Sequence, residues 1–243
     1  MREARDKTPD GAILFDADVL RKVTPEAFTA FAWEASEPVK GTLRTAGRGD
    51  TMIVKDGDHE FVLRPYCRGG LAGKFARDKF LWLGEDATRA FAEFRLLAKL
   101  VEMELPVPKP AAARYRRHGP FYSADLLTVR LAGVRSLADR LTDSSAGGKF
   151  WRNLGTTIHR FHAANVYHAD LNAYNVQVDT EDRIFLLDFD RGNFRQAGTW
   201  RQKNLARFHR SLRKIKSLDP AIHFTGNDWN HFLRAYFDAS RSA

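Results

Sequence analysis

YHADLNAYNVQVD, residues 167–179, packs His168, Asp170, Asn172 and Asn175 into one short segment, and IFLLDFDRGN follows at 184–193. Polar side chains crowded between apolar flanks read as a loop held by structure on both sides. VQVD and RIFLLDF read as two short strands around the turn Thr180-Glu181-Asp182. A hairpin at that position returns the chain, and it would bring Asp188 back beside Asp170 and Asn175.

These residue types suit phosphoryl transfer from a nucleotide. That chemistry needs a carboxylate to orient the attacking hydroxyl and take its proton, oxygen ligands for Mg²⁺, and cations on the phosphates. Asp170 is the candidate base, while Asn175 can offer an amide oxygen and Asp188 a carboxylate to the metal.

Working outward, Trp151, Leu154, Ile158 and Phe161 form one stripe of a helix over 147–164 that feeds the loop. Its His159 and His162 lack cysteines or a carboxylate partner and read as solvated or core-edge side chains, not metal ligands. LAGVRSLADRL before it reads as a connector. Further upstream, strands are expected at 111–117 and 121–130 around His118-Gly119-Pro120. LPVPKP at 105–110 ends an amphipathic helix over 86–104, marked by Ala90, Phe91, Phe94, Leu97, Ala98 and Val101. GTLRTAGRGDTMIVKDGDHEFVLRPY, from 41, alternates in the manner of hairpin strands, with Asp56-Gly57 as a tight turn. Residues 1–40, with short apolar patches, Pro25 and Pro38, read as an N-terminal extension.

Beyond the loop, two helices are expected near 200–217 and 228–240, the second with Trp229, Phe232, Leu233, Tyr236 and Phe237 on one side. The first carries Arg201, Lys203, Arg207, Arg210, Arg213, Lys214 and Lys216 and no acidic residue. Its stripe of Leu205, Phe208, Leu212 and Ile215 packs inward, which leaves a solvated basic face or one that meets an anionic membrane.

The chain of 243 residues is 44% hydrophobic and 28% charged, the composition of a folded protein. Its formal charge of +9 points to an acidic partner or substrate: nucleic acid, anionic lipid or a phosphorylated sugar. A single cysteine, Cys67, excludes an internal disulfide and suits a reducing compartment. No apolar run approaches the roughly 18 residues of a spanning helix, and MREARDKTPDGAILF lacks the apolar segment of a signal peptide. A soluble or peripheral protein is expected.

HADLNAYN resembles the catalytic-loop pattern H-R-D-L-x-x-x-x-N of protein kinases, with alanine in the arginine place, and DFD stands where kinases have DFG. RPYCRGGLAGKF, YHADLNAYNVQVD and FLLDFDRGN together resemble the lipopolysaccharide core kinases, above all the 3-deoxy-D-manno-octulosonic acid (Kdo) kinase family, over roughly residues 41–240. The resemblance implies an α+β, two-lobed protein-kinase-like fold. Residues 41–131 would form a strand-rich N-lobe with one long helix, and 132–243 a mostly helical C-lobe.

The resemblance also implies ATP and Mg²⁺ as cofactors and assigns roles by position. AGRGDT at 46–51 is similar to the glycine-rich loop, where Gly47 and Gly49 would let backbone amides approach phosphate oxygens. Arg64 stands in the kinase lysine position, with Lys74 the alternative; Glu93 would pair with that cation. Arg68, Gly69 and Gly70 would belong to the acceptor side or the lid above it, and His168 would brace the loop. Arg191 either pairs with Asp190 or touches an anionic group of the acceptor. Asp190 in the glycine place of DFG, and the lack of an A-P-E motif, take support from a protein substrate and give it to a sugar.

The acceptor so implied is the 4-hydroxyl of Kdo in a Kdo-lipid A precursor, reached at the cytoplasmic face of the inner membrane of a Gram-negative bacterium by a peripheral enzyme, with no obligate protein partner. A heptose or another small hydroxylated compound is the alternative acceptor. A nucleic-acid-binding module on a degenerate kinase scaffold would not need Asp170, Asn175 and Asp188 together, so no nucleic acid partner is expected.

Overall fold

A computed structural model describes residues 1–39, 51–67 and 79–241 of the chain, which divides into two compact units. One comprises Met1–Glu104 and Pro108–Leu131, the other Leu105–Val107 and Ala132–Ala243. Their content is mixed α and β, as the sequence pattern requires.

In the first unit the described strands are β1 (Glu3–Thr8), β2 (Gly11–Asp16), β3 (Ala35–Pro38), β4 (Met52–Asp56), β5 (His59–Pro65), β6 (Phe80–Leu81), β7 (Pro110–His118) and β8 (Phe121–Val129). They form one antiparallel sheet in the order β1-β2-β7-β8-β5-β4-β3, with β6 pairing to β8. The N-terminal extension expected over 1–40 is therefore corrected: β1 and β2 are a hairpin built into the sheet, and β2 pairs directly with β7. The reason lies in the run Ala12–Phe15, four consecutive buried residues, which reads as a strand covered on both faces and not as an alternating one.

One face of this sheet packs Ile13, Phe15, Val54, Phe61, Leu63 and Leu127 over Val23 and Phe28. Helix α1 (Arg89–Glu102) packs on β7 and β8. Its Phe91 and Phe94 are fully buried, each contributing about 2–3 kcal/mol of transfer free energy. Glu104 takes a left-handed φ of 54° where the helix stops, and LPVPKP follows.

In the second unit the segment expected as a connector, 131–141, forms β9 (Arg135–Ser136) and the start of α2 (Leu137–Asp143). Ser136 caps this helix by accepting the Asp139 N–H at 3.0 Å, a Ser-to-Asp spacing that marks a helix start. Helix α3 (Gly147–Ala163) buries Trp151, Leu154, Ile158 and Phe161, the stripe read from the sequence. It packs on α5 (Gly226–Ala239), which begins with a capping box between Thr225 and Asp228. The approach is close: a Cβ on Gly155 would lie 2.3 Å from the Phe232 carbonyl oxygen.

The remaining elements are β10 (Val166–Tyr167), β11 (Val176–Val178), β12 (Ile184–Leu186), β13 (Asn193–Phe194) and helix α4 (Trp200–Leu218). β11 and β12 are the expected hairpin, with Val176 opposite Leu186, and β9 pairs on its other side. β10 pairs with β13, so the loop of residues 168–175 leaves one paired strand and enters another.

Candidate active site

His168 is 3% exposed and sits at the centre of the loop. Its Nδ1 accepts the Asp170 N–H at 3.1 Å, which leaves the ring proton on Nε2, and Nε2 donates to the Leu187 carbonyl at 2.9 Å. Burial pushes the imidazole pKa below its ordinary value of 6.5 even though the Leu187 carbonyl and the nearby charges of Asp188 and Asp170 pull the other way. The ring is thus a neutral strut between the loop and the strand that ends just before Asp188.

Around this strut the loop is closed by amides. Asn172 Oδ1 accepts the N–H groups of Tyr174 and Asn175, and its Nδ2 donates to Asp170 Oδ2 at 3.0 Å. Asn175 Nδ2 donates to the Asp170 carbonyl at 2.9 Å, which leaves Oδ1 as the oxygen it can offer a cation. Leu187 N–H donates to the Asn175 carbonyl at 2.8 Å. The hairpin register thereby sets Asn175 beside Leu187, one residue from Asp188. So the backbone at Asp170, Asn175 and the residue before Asp188 is brought together about one imidazole and one backbone hydrogen bond. Asp188 holds a left-handed φ of 64°, a conformation few non-glycine residues adopt.

Helix α4 backs the loop through polar residues at helical spacing that sequence reasoning did not single out. Asn204, 2% exposed, donates to the His168 carbonyl at 3.1 Å; Arg207 Nη1 donates to Asp170 Oδ1 at 3.2 Å; Ser211 Oγ accepts the Ala173 N–H at 3.0 Å. Positions 204, 207 and 211 are i, i+3 and i+7, one face of the helix, and that spacing between the apolar positions was the available signal. Arg201 and Lys216 of the same helix are committed to Asn165 and to the carbonyls of Pro220 and Ile222. Lys203, Arg210, Arg213 and Lys214 are exposed.

Arg191, with a left-handed φ of 60° and a side chain 71% exposed, lies 3.9 Å from Asp190. His162 is buried against Tyr236, which it meets at 2.8 Å through Nδ1, and burial lowers its pKa to about 4. It lies in the core, deeper than the solvated or core-edge position expected from the sequence, because the Tyr236 hydroxyl partners its ring nitrogen there.

In the first unit, Arg64 on β5 meets Glu93 on α1 at 2.6 Å. Glu93 is 3% exposed, and its other oxygen accepts the Tyr66 hydroxyl at 2.5 Å. Arg64 also donates to the Tyr66 oxygen at 3.3 Å, so a tyrosine that sequence reasoning missed completes the pair. Gly47, Gly49, Arg68, Gly69, Gly70 and Lys74 lie outside the described residues.

The sequence is similar to that of a known family and its members. The profile of the lipopolysaccharide kinase (Kdo/WaaP) family matches residues 34–236. A 3-deoxy-D-manno-octulosonic acid kinase of Stenotrophomonas maltophilia (strain R551-3) is 43% identical over 227 residues, covering 93% of this chain and 89% of the relative. One from Xanthomonas euvesicatoria pv. vesicatoria (strain 85-10) is 45% identical over 228 residues with the same coverage. Among solved structures, the Cydia pomonella granulovirus kinase PK-1 matches with a TM-score of 0.42 at 12% identity, covering 70% of this chain and 55% of that one. With more than four-fifths of its length inside the family profile, the chain belongs to the lipopolysaccharide kinase (Kdo/WaaP) family.

Proposed function

We propose that the protein transfers the γ-phosphoryl group of ATP to the 4-hydroxyl of Kdo in a Kdo-lipid A precursor, during assembly of the lipopolysaccharide inner core. The observation that carries this reading is the gathering of Asp170, Asn175 and Asp188 about His168 in a member of this family. The two units are read as the lobes of a protein-kinase-like fold.

In this mechanism Asp170 orients the acceptor hydroxyl and takes its proton as the oxygen attacks the γ-phosphorus. The bond from that phosphorus to the β-phosphate oxygen breaks, and ADP leaves. Asn175 and Asp188 offer one amide and one carboxylate oxygen, hard donors that fit Mg²⁺. When bound, Mg²⁺ neutralises the phosphate oxygens between which charge shifts. Arg64, fixed by Glu93 and Tyr66, holds phosphate oxygens, with Lys74 the alternative cation, and Gly47 and Gly49 cover them. Arg68 and Arg191 are assigned to the acceptor side.

The acceptor is lipid-linked and anionic. Among the described residues no helix is long and apolar enough to cross a membrane, so the exposed Lys203, Arg210, Arg213 and Lys214 of α4 are assigned to a peripheral contact with the cytoplasmic side of the inner membrane. Each basic residue near anionic lipid is worth about 1 kcal/mol.

Purified protein given labelled ATP and Mg²⁺ should phosphorylate Kdo-lipid A precursor in preference to a heptose-containing core acceptor or an aminoglycoside. Asp170→Asn should bind ATP and lose transfer by about 1000-fold; full turnover by that variant refutes the assignment of the base.

A further inference from the structure

We propose that Arg207 seats the carboxylate of the acceptor sugar beside Asp170, and so selects which hydroxyl is phosphorylated. The inference rests on the reading of the acceptor as Kdo, and it starts from the 3.2 Å contact between Arg207 Nη1 and Asp170 Oδ1. The two side chains are 46% and 42% exposed, so the pair faces solvent.

An exposed ion pair of this kind stabilises a fold by at most about 1 kcal/mol, which gives stability little reason to hold an arginine here. The position is nonetheless well fixed. α4 is tied to the loop on both sides of Arg207, by Asn204 on the His168 carbonyl and Ser211 on the Ala173 N–H. The guanidinium therefore emerges at a set distance from the candidate base.

A guanidinium offers five N–H donors in a rigid fork that matches a carboxylate. One donor on Asp170 leaves the other edge for a second anion a few ångströms away. Asp170 is steadied at the same time, one oxygen by Arg207 and the other by Asn172. A carboxylate oxygen accepts more than one hydrogen bond, so contacts of this kind do not by themselves preclude a hydroxyl.

The chemistry of a 3-deoxy-2-ulosonic acid then fixes the position of attack. Its carboxylate is on C1, the C2 oxygen is engaged in the glycosidic link, and C3 carries no hydroxyl. The nearest free hydroxyl along the chain is on C4. An arginine that holds C1 next to a base presents that hydroxyl first. Arg207, not Arg191, is the arginine the structure sets against Asp170.

The test compares two acceptors, Kdo-lipid A precursor and its C1 carboxamide, with wild-type enzyme, Arg207→Lys and Arg207→Met, all with ATP and Mg²⁺. Wild type should lose about 10- to 100-fold in kcat/KM on the carboxamide, mostly through acceptor KM. Arg207→Met should lose a similar factor on the natural acceptor and little more on the carboxamide, because both changes remove one contact. Arg207→Lys should recover part of the loss, and the product of Arg207→Met should carry phosphate at more than one position by NMR. Equal losses for Arg207→Met on both acceptors, or no loss at all, overturn the inference while the Kdo kinase reading stands. Failure of wild type to phosphorylate either acceptor overturns that reading and the inference with it.

Discussion

His168 and Leu187 are joined by a 2.9 Å hydrogen bond from a buried imidazole to a backbone carbonyl, and the far side of the same ring receives the Asp170 N–H. The backbone spacing between Asp170, the proposed base, and the residue before Asp188 is thus governed by one buried side chain. His168→Phe fills the same space and makes neither bond. It should lower stability by about 1–3 kcal/mol and reduce transfer far more than nucleotide affinity. Thermal unfolding and single-turnover rates check this; an active, equally stable variant would show that the strut is dispensable.

Glu93 serves two partners at once, Arg64 at 2.6 Å and the Tyr66 hydroxyl at 2.5 Å. Tyr66→Phe should leave the ion pair in place and raise KM for ATP only a few-fold, about the effect of one hydrogen bond. Glu93→Ala removes the carboxylate that meets Arg64, whose side chain is 23% exposed and partly able to reach water. It should cost about 2 kcal/mol of stability and raise KM for ATP at least ten-fold with the acceptor KM unchanged. A change confined to the acceptor KM would place Arg64 elsewhere in the reaction.

His162 supplies a pH dependence whose sign follows from burial. Its pKa falls from 6.5 in water to about 4 in the fold. Between those values the unfolded chain binds a proton that the native one refuses, so stability rises with pH there and is lost on acidification. The loss from this residue approaches about 3 kcal/mol by pH 4. His162→Gln, which can still meet Tyr236, should flatten part of the fall in thermal midpoint below about pH 6.5; His168 continues to contribute to it. An unchanged slope would mean that His162 is not the group responsible.

Gly155 sits where α3 meets α5, with the Phe232 carbonyl 2.3 Å from the position of an added Cβ. Alanine improves helix propensity by about 1 kcal/mol, yet here the backbone opposite cannot yield as a side chain could. Gly155→Ala should therefore destabilise by about 1–3 kcal/mol, read from a urea midpoint. A gain in stability would show that the helices separate without cost.

Much of this architecture is legible in the sequence because it rests on periodicity. The stripe of α3, the helix carrying Glu93 and the hairpin that returns Asp188 are all local patterns. Three features escape for a common reason: they depend on what lies opposite. Ala12–Phe15 is a continuous apolar run whose strand character appears only with β1 and β7 on its flanks. Tyr66 stands two residues beyond Arg64, just past the end of β5, but its value comes from Glu93 on helix α1. Arg207 is indistinguishable in composition from the other cations of its helix, and only the loop beneath α4 separates it from them.

The φ of 64° at Asp188 has a consequence for how this chain can change. A side chain in that conformation carries a penalty of roughly 1–2 kcal/mol that glycine would avoid. Selection for heat resistance alone would therefore drift position 188 toward glycine, and that change would give up the carboxylate proposed here as a ligand for the metal in exchange for a sturdier backbone.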